Sequence, residues 1–224
     1  LQITCPDQSC YTYLISERGA YDTFPLTAGN GSYALQVLEN VAGDTYTVSL
    51  TQSINVSIED EFLPFLYPNQ YVNFHADSKA VSKGSDLAKD TYSDLDVVQN
   101  IYNYVIKNIS YDTEKAQNVS YGYVPDVDDT LSSKKGICFD YAALMTSMLR
   151  SQNIPTKLEV GYSGDAYHAW ISTYIDDKGW VDDIIQFDGD TWQIMDPTLA
   201  ATNDSAAVKK YVGDGSHYVV KYTY

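Results

Sequence analysis

The segment 138–152, CFDYAALMTSMLRSQ, is apolar almost all round. Phe139, Tyr141, Ala142, Ala143, Leu144, Met145, Met148 and Leu149 leave few polar breaks. A helix formed here has no face to turn to water, so it must be buried on most sides and is predicted to be the central helix of its domain. Gly136 supplies a turn just before it, Pro155 stops it, and the residues that follow read as a strand. Such burial also fixes the backbone under Cys138. A thiol at a helix N-terminus feels unpaired N–H groups and the positive end of the helix dipole, which favours the thiolate. Cysteine is equally a common space-filler, so this position alone does not make a nucleophile.

Downstream, strands are predicted over 157–162, 166–175, 180–187 and 191–195, with Asp-Asp-Lys-Gly at 176–179 and Asp-Gly-Asp at 188–190 as turns. A last helix over 205–211 and a last strand over 218–224 complete this half. Strand alternation puts His168, Trp170, Ser172 and Tyr174 on one face and Ala169, Ile171, Thr173 and Ile175 on the other. The second set reads as core. The first begins with a titratable ring against an aromatic wall, as an active-site face would. His168 read alone is a structural histidine, and Asp196 before Pro197 read alone is a turn starter. Cys138, His168 and Asp196, each at an element edge, nonetheless form an order that nucleophilic catalysis can use.

Upstream, residues to about 75 are β-rich. The run from Gly29 to Asp60 alternates apolar and polar residues between Gly-Asn-Gly and Gly-Asp turns. The stretch around Pro64 and Pro68 suits a connecting loop better than a central strand. A short helix is expected over 78–87. A longer one starts after Ser93, whose side chain can cap it, with Asp96 complementing the dipole. Val97, Ile101, Tyr104, Val105 and Asn108 form its expected buried stripe. Residues 112–135 are polar, contain Gly122 and Pro125, and read as a long loop before Cys138, a lid or substrate rim. The fold class is α+β, with a β-rich unit over 1–76 and a catalytic domain over 77–224.

KGICFDYAALMTSMLRSQNIPTK, then YHAWIS with GW shortly after, then WQIMDPT together resemble the transglutaminase-like superfamily. The resemblance runs from about Asp94 to Thr198. It implies a papain-like core, a central helix packed on an antiparallel sheet, with Cys138 as nucleophile, His168 as base and Asp196 as the acid that orients it. Asp140, in the first turn of the helix, reads instead as a group that satisfies the helix terminus. Crosslinking members of the superfamily place a tryptophan upstream of the cysteine to hold the oxyanion. Here Trp170, Trp180 and Trp192 all lie downstream. The upstream tyrosines 102, 104, 111, 121 and 123 are the alternative donors, Tyr111 first among them, beside the backbone N–H of Cys138.

Fourteen basic against 30 acidic residues give a formal charge of −16 over 224 residues. That field repels nucleic acid and anionic membrane surfaces, so neither is expected as a partner. No apolar run reaches the length of a membrane span. The acidic groups Asp126, Asp128 and Asp129, and Asp182 and Asp183, lack metal-ligand spacing and read as solvated turns, so no metal and no cofactor is expected. Cys5 and Cys10 could close a small loop by disulfide, leaving Cys138 as the odd thiol, as an oxidising compartment would suggest. Leu1 stands where a methionine would open an unprocessed chain, implying a removed upstream segment. The expected setting is therefore extracellular or at the surface of a bacterial-type cell.

Two functions fit. One is an enzyme in which Cys138 attacks a peptide-type or glutamine amide and forms a thioester, resolved by water in a hydrolase or by an amine in a transglutaminase. The other is a non-catalytic surface module that uses the groove to hold a polypeptide or wall polymer. An intact Cys-His-Asp set favours the enzyme, with a polypeptide or peptide-like substrate. Oligomeric state is not readable from the sequence.

Overall fold

The computed structural model describes residues 1–15, 21–176, 178–181, 185–187, 192–194 and 218–224, the backbone alone at 185–187 and 192–194. It divides into two compact units, residues 1–64 and 65–224.

The first unit is an antiparallel sheet of β1 (Gln2–Thr4), β2 (Cys10–Thr12), β3 (Gly31–Ala42) and β4 (Thr45–Val56), in the order β2-β1-β3-β4. Gly43, at a φ of 53°, makes the tight turn of the long β3–β4 hairpin, a conformation that costs glycine little. Ile3, Cys5, Tyr11, Tyr13 and Tyr33 are its buried residues among those described, Tyr33 donating to the Gly29 carbonyl at 2.7 Å. The expected Cys5–Cys10 disulfide is not formed, and the register explains why. Cys10 lies opposite Thr4, so Cys5, the next residue along, points to the other face of the hairpin. Cys5 is buried with its pKa raised chiefly by that burial, while Cys10 is exposed.

The connection passes through a 3-10 turn, Leu63–Phe65. Residues 65–76, assigned to the front unit on sequence, pack within the second: the Phe65 ring meets Trp180 edge-on at 5.3 Å, and Tyr71 sits 5.3 Å from Phe139. Helices α1 (Lys79–Ala88) and α2 (Asp94–Asn108) follow. The Ser93 side chain caps α2 by accepting from Asp96 N at 3.2 Å. The α2 stripe is rotated from expectation: Val97, Val98, Ile101, Tyr102 and Val105 are buried, and Tyr104 and Asn108 are only half so. Val98 and Tyr102 extend the apolar row by one position toward the core, widening it as a globular helix requires.

Residues 112–135 are not one long loop. They carry α3 (Thr113–Asn118) and α4 (Val127–Ser133), and run between two short strands, β5 (Ser110–Tyr111) and β6 (Lys135–Gly136), which pair in parallel. The carboxylates that make the segment look like a solvated loop are helix caps. Asp112 accepts from Lys115 N at 2.9 Å, and Asp126 Oδ1 from Asp128 N and Asp129 N at 3.0 and 2.9 Å. Asp128 reaches across to the first turn of α1, accepting from Lys79 N and Ala80 N at 3.0 and 2.9 Å. Each side chain fills a backbone donor that a short helix leaves open. Among the described residues no three acidic, histidine or cysteine side chains gather as a metal site.

Helix α5 (Cys138–Arg150) is the centre of the unit, buried at every residue from Asp140 to Arg150. It packs on α1, α2 and α4 and on strands β7 (Thr156–Ser163) and β8 (Ala166–Ile175). With β9 (Gly179–Val181) and β12 (Tyr218–Thr223) these form an antiparallel sheet in the order β12-β7-β8-β9. A separate pair, β10 (Ile185–Phe187) and β11 (Trp192–Ile194), is also antiparallel. The architecture is the α+β arrangement expected: a central helix on an antiparallel sheet in the second unit, and a β-rich first unit that precedes it in sequence. The expected helix over 205–211 lies outside the described residues, as do Asp182 and Asp183.

The C-terminal turn of α5 is locked by Arg150. Its guanidinium donates to three backbone carbonyls, of Thr156 (2.9 Å), Tyr67 (2.7 Å) and Tyr224 (2.7 Å). Burial lowers its pKa to about 9, which still leaves it charged near neutrality. One cation thus ties the helix end to β7, to the segment ahead of α1 and to the residue after β12.

Candidate active site

Cys138 is the first residue of α5 and is half-buried. The turn that delivers it is closely built. Asp112 N donates to the Gly136 carbonyl at 2.9 Å, fastening β6 to the chain after β5. Asp140 reaches back from the first turn to accept from Ile137 N at 2.8 Å, the residue just before the thiol. Its carboxylate is wholly buried and takes two further donors, Lys115 Nζ at 2.7 Å and Tyr123 Oη at 2.5 Å. Lys115 Nζ also bonds Tyr123 Oη at 2.6 Å and lies over that ring at 4.4 Å from its centre. Burial and the adjacent Asp140 carboxylate push the Tyr123 phenol strongly upward, so it stays a donor. Asp140 serves the helix start, as expected. Its partners Lys115 and Tyr123 carry no sequence signal and emerge only from the fold.

His168 stands near the open end of β8, opposite Gly161 of β7, and is half-buried. Its ring lies 6.4 Å from that of Trp170, inclined at 29°. The rest of its face is interior. Trp170 and Ser172 are fully buried, Trp170 meeting Tyr218 edge-on at 4.9 Å and Ser172 donating to Glu159 at 2.5 Å. Both faces of β8 are interior, and only its first residues open outward.

The structure brings Cys138 and the start of β8 into one neighbourhood. Tyr167, immediately before His168, has its pKa raised by partial burial and, among lesser causes, by the charge of Cys138. Tyr167 is 59% exposed and lies opposite Tyr162, their rings 5.5 Å apart. Tyr71, seated on Phe139 beside the thiol, is pushed up to about 12, first by desolvation and then by Tyr121 and Tyr167. Tyr121 and Tyr167 therefore lie within electrostatic reach of Tyr71, with Tyr167 also within reach of Cys138. Among the candidate oxyanion donors, Tyr123 is committed to Asp140, Tyr102 is buried in the core, and Tyr111 lies opposite Gly136 in the β5–β6 pair. Asp196 lies outside the described residues.

Residues 82–182 match the family model of the transglutaminase-like superfamily. That span, a little under half of the chain, carries the central helix and the His168 strand, and it is this span that is similar to the superfamily. A UPF0252 protein of Methanocaldococcus jannaschii is 32% identical over 98 residues, 38% of this chain and 28% of that protein. The kyphoscoliosis peptidase of Mus musculus is 30% identical over 107 residues, 42% of this chain and 16% of that protein. The chain thus spans less than a third of either relative. Among solved structures, the periplasmic domain of TgpA from Pseudomonas aeruginosa superposes with a TM-score of 0.47 at 20% identity, covering 79% of this chain and 67% of that one. Among the described residues no helix is long and apolar enough to cross a membrane.

Proposed function

We propose that the second unit is a cysteine-nucleophile acyl transferase or hydrolase acting on a peptide-type or glutamine amide. The observation that carries the reading is the placement of Cys138 at the N-terminus of a buried helix that packs on the strand bearing His168. In this reading His168 takes the thiol proton and the Cys138 thiolate attacks the amide carbonyl. The C–N bond breaks, His168 returns the proton to the leaving nitrogen, and a thioester remains. Water then gives a carboxylic acid, or an amine gives a new amide, and the thiol is regenerated. Asp196 accepts from the second imidazole nitrogen, fixing the tautomer and stabilising the imidazolium. The backbone N–H of Cys138, assisted by Tyr111, holds the oxyanion.

The name of the mouse relative, a peptidase, agrees with hydrolysis as the outcome. Tyr71, Tyr121 and Tyr167 suit an extended polypeptide, since phenols offer both ring faces and donors. We place the enzyme outside the cell, where such substrates are presented. Incubation with glutamine-containing peptides, with and without a primary amine, tests the reading by mass. Water should add to the acyl group or the amine should replace ammonia, and Cys138→Ala should abolish both. Wild-type protein that binds peptides yet never forms a thioester would instead make the groove a binding module.

A further inference from the structure

Asp140 presents an electrostatic conflict. Its carboxylate is needed to hold Ile137 N and to fasten Tyr123 beside the helix start. Yet it is a fully buried anion two residues after a thiol that must itself become an anion, and a like charge in a low-dielectric setting raises a thiol's pKa. We propose that Lys115 resolves this conflict: it neutralises Asp140, so that the carboxylate can cap the nucleophile's helix without opposing the Cys138 thiolate. Lys115 and Asp140 are then positioning residues, one structural and one compensating. The proposal rests on Cys138 being the nucleophile.

The geometry singles out Lys115 for this task. Its Nζ is 2.7 Å from Asp140 Oδ2, with its side chain 29% exposed against none for Asp140. Its own backbone is fixed by the Asp112 cap, so the cation is delivered from a built turn. The other charged and titratable groups nearby have different work. Asp112 caps α3, and Asp126 and Asp129 lie further out and act on Tyr123. Tyr111 and Tyr141 are neutral phenols at neutral pH. Lys83 lies over Tyr104, Glu159 is held by Ser172, Tyr71 sits on Phe139, and Tyr167 feels the charge of Cys138.

The test is the pH dependence of Cys138 alkylation by iodoacetamide, read at that cysteine by peptide mass, in wild type, Lys115→Met, Asp140→Asn and the double variant. Lys115→Met leaves the carboxylate uncompensated, and the midpoint should rise by roughly one pH unit. Asp140→Asn leaves a lone cation, and the midpoint should fall. The double variant should return close to wild type. Simple damage to the helix start would move all three the same way, and that result, or an unmoved midpoint in Lys115→Met, overturns the proposal. If Lys115→Met does not fold, Asp140→Asn against the double variant carries the test: removing Lys115 must raise the midpoint there too. A parallel His168→Ala curve separates the two ideas. A curve superimposed on wild type removes the catalytic pairing, while the Lys115–Asp140 cycle still reads the local field at the thiol.

Discussion

Gly136 and Asp140 meet where no further atom fits: a β-carbon on Gly136 would lie 2.6 Å from the Asp140 β-carbon and 3.2 Å from its Oδ2. The absence of a side chain at Gly136 is what lets the buried carboxylate fold back on Ile137 N. Gly136→Ala should therefore cost about 1–3 kcal/mol through overpacking, measured by denaturant unfolding. Activity should fall with it, because the displaced carboxylate holds the helix that carries Cys138. An unchanged denaturation midpoint would mean that the helix start yields easily.

Arg150 donates to three carbonyls from separate parts of the second unit, and replacing it with methionine leaves two acceptors buried and the third, of Tyr67, partly so. Charged hydrogen bonds of this kind are each worth more than neutral ones, so Arg150→Met should destabilise the unit by roughly 3 kcal/mol or more. Lysine should rescue little, since a single ammonium cannot span three acceptors in a planar fork. Thermal unfolding of the two variants side by side measures this.

Tyr71 and Tyr141 are both pushed up to about 12, chiefly by desolvation. Tyr141 is fully buried and donates to the Ile109 carbonyl at 2.6 Å. In the unfolded chain both phenols ionise near the ordinary value of about 10. Below that pH their contribution is complete. Between about 10 and 12 the unfolded state loses protons that the native state keeps, so stability falls as pH rises through the folded values. Tyr141→Phe should make the alkaline slope shallower by up to about 1.4 kcal/mol per pH unit. Denaturant midpoints taken across that window check it, and an identical slope in the variant would contradict it.

The central helix was legible because its apolar residues leave no polar face, and Pro155 marks its end. The strand bearing His168 was legible by alternation, but burial of Trp170 and Ser172 was not, because alternation cannot say whether a second face is also covered. Residues 112–135 were misread for a related reason. Asp112, Asp126 and Asp128 look like solvated loop carboxylates until the backbone donors they cap are located. Lys115 and Tyr123 reach Asp140 from 25 and 17 residues away, a pairing that no local pattern encodes. The hairpin of Cys5 and Cys10 shows the reverse limit. Short spacing suggests a bridge, and strand register sends the two thiols to opposite faces.

If Asp196 orients the imidazole, Asp196→Asn should leave the fold intact and slow acylation by a large factor, the analogous serine-protease change costing roughly 10⁴. Asp140→Asn should do far less to the rate and more to stability, because its carboxylate serves the helix start. Single-turnover thioester formation together with thermal unfolding separates the two. Equal rate losses in both variants would place Asp140 in the chemistry and remove the distinction.

The pairing of Cys138 with His168 is tested most directly by the pH dependence of Cys138 alkylation in wild type and in His168→Ala. An ion pair keeps the thiolate well below the ordinary cysteine pKa of about 8.5, and alanine at 168 should return the midpoint toward that value. Superimposable curves would show that the two residues do not act as a pair, and the groove would then be a place for binding.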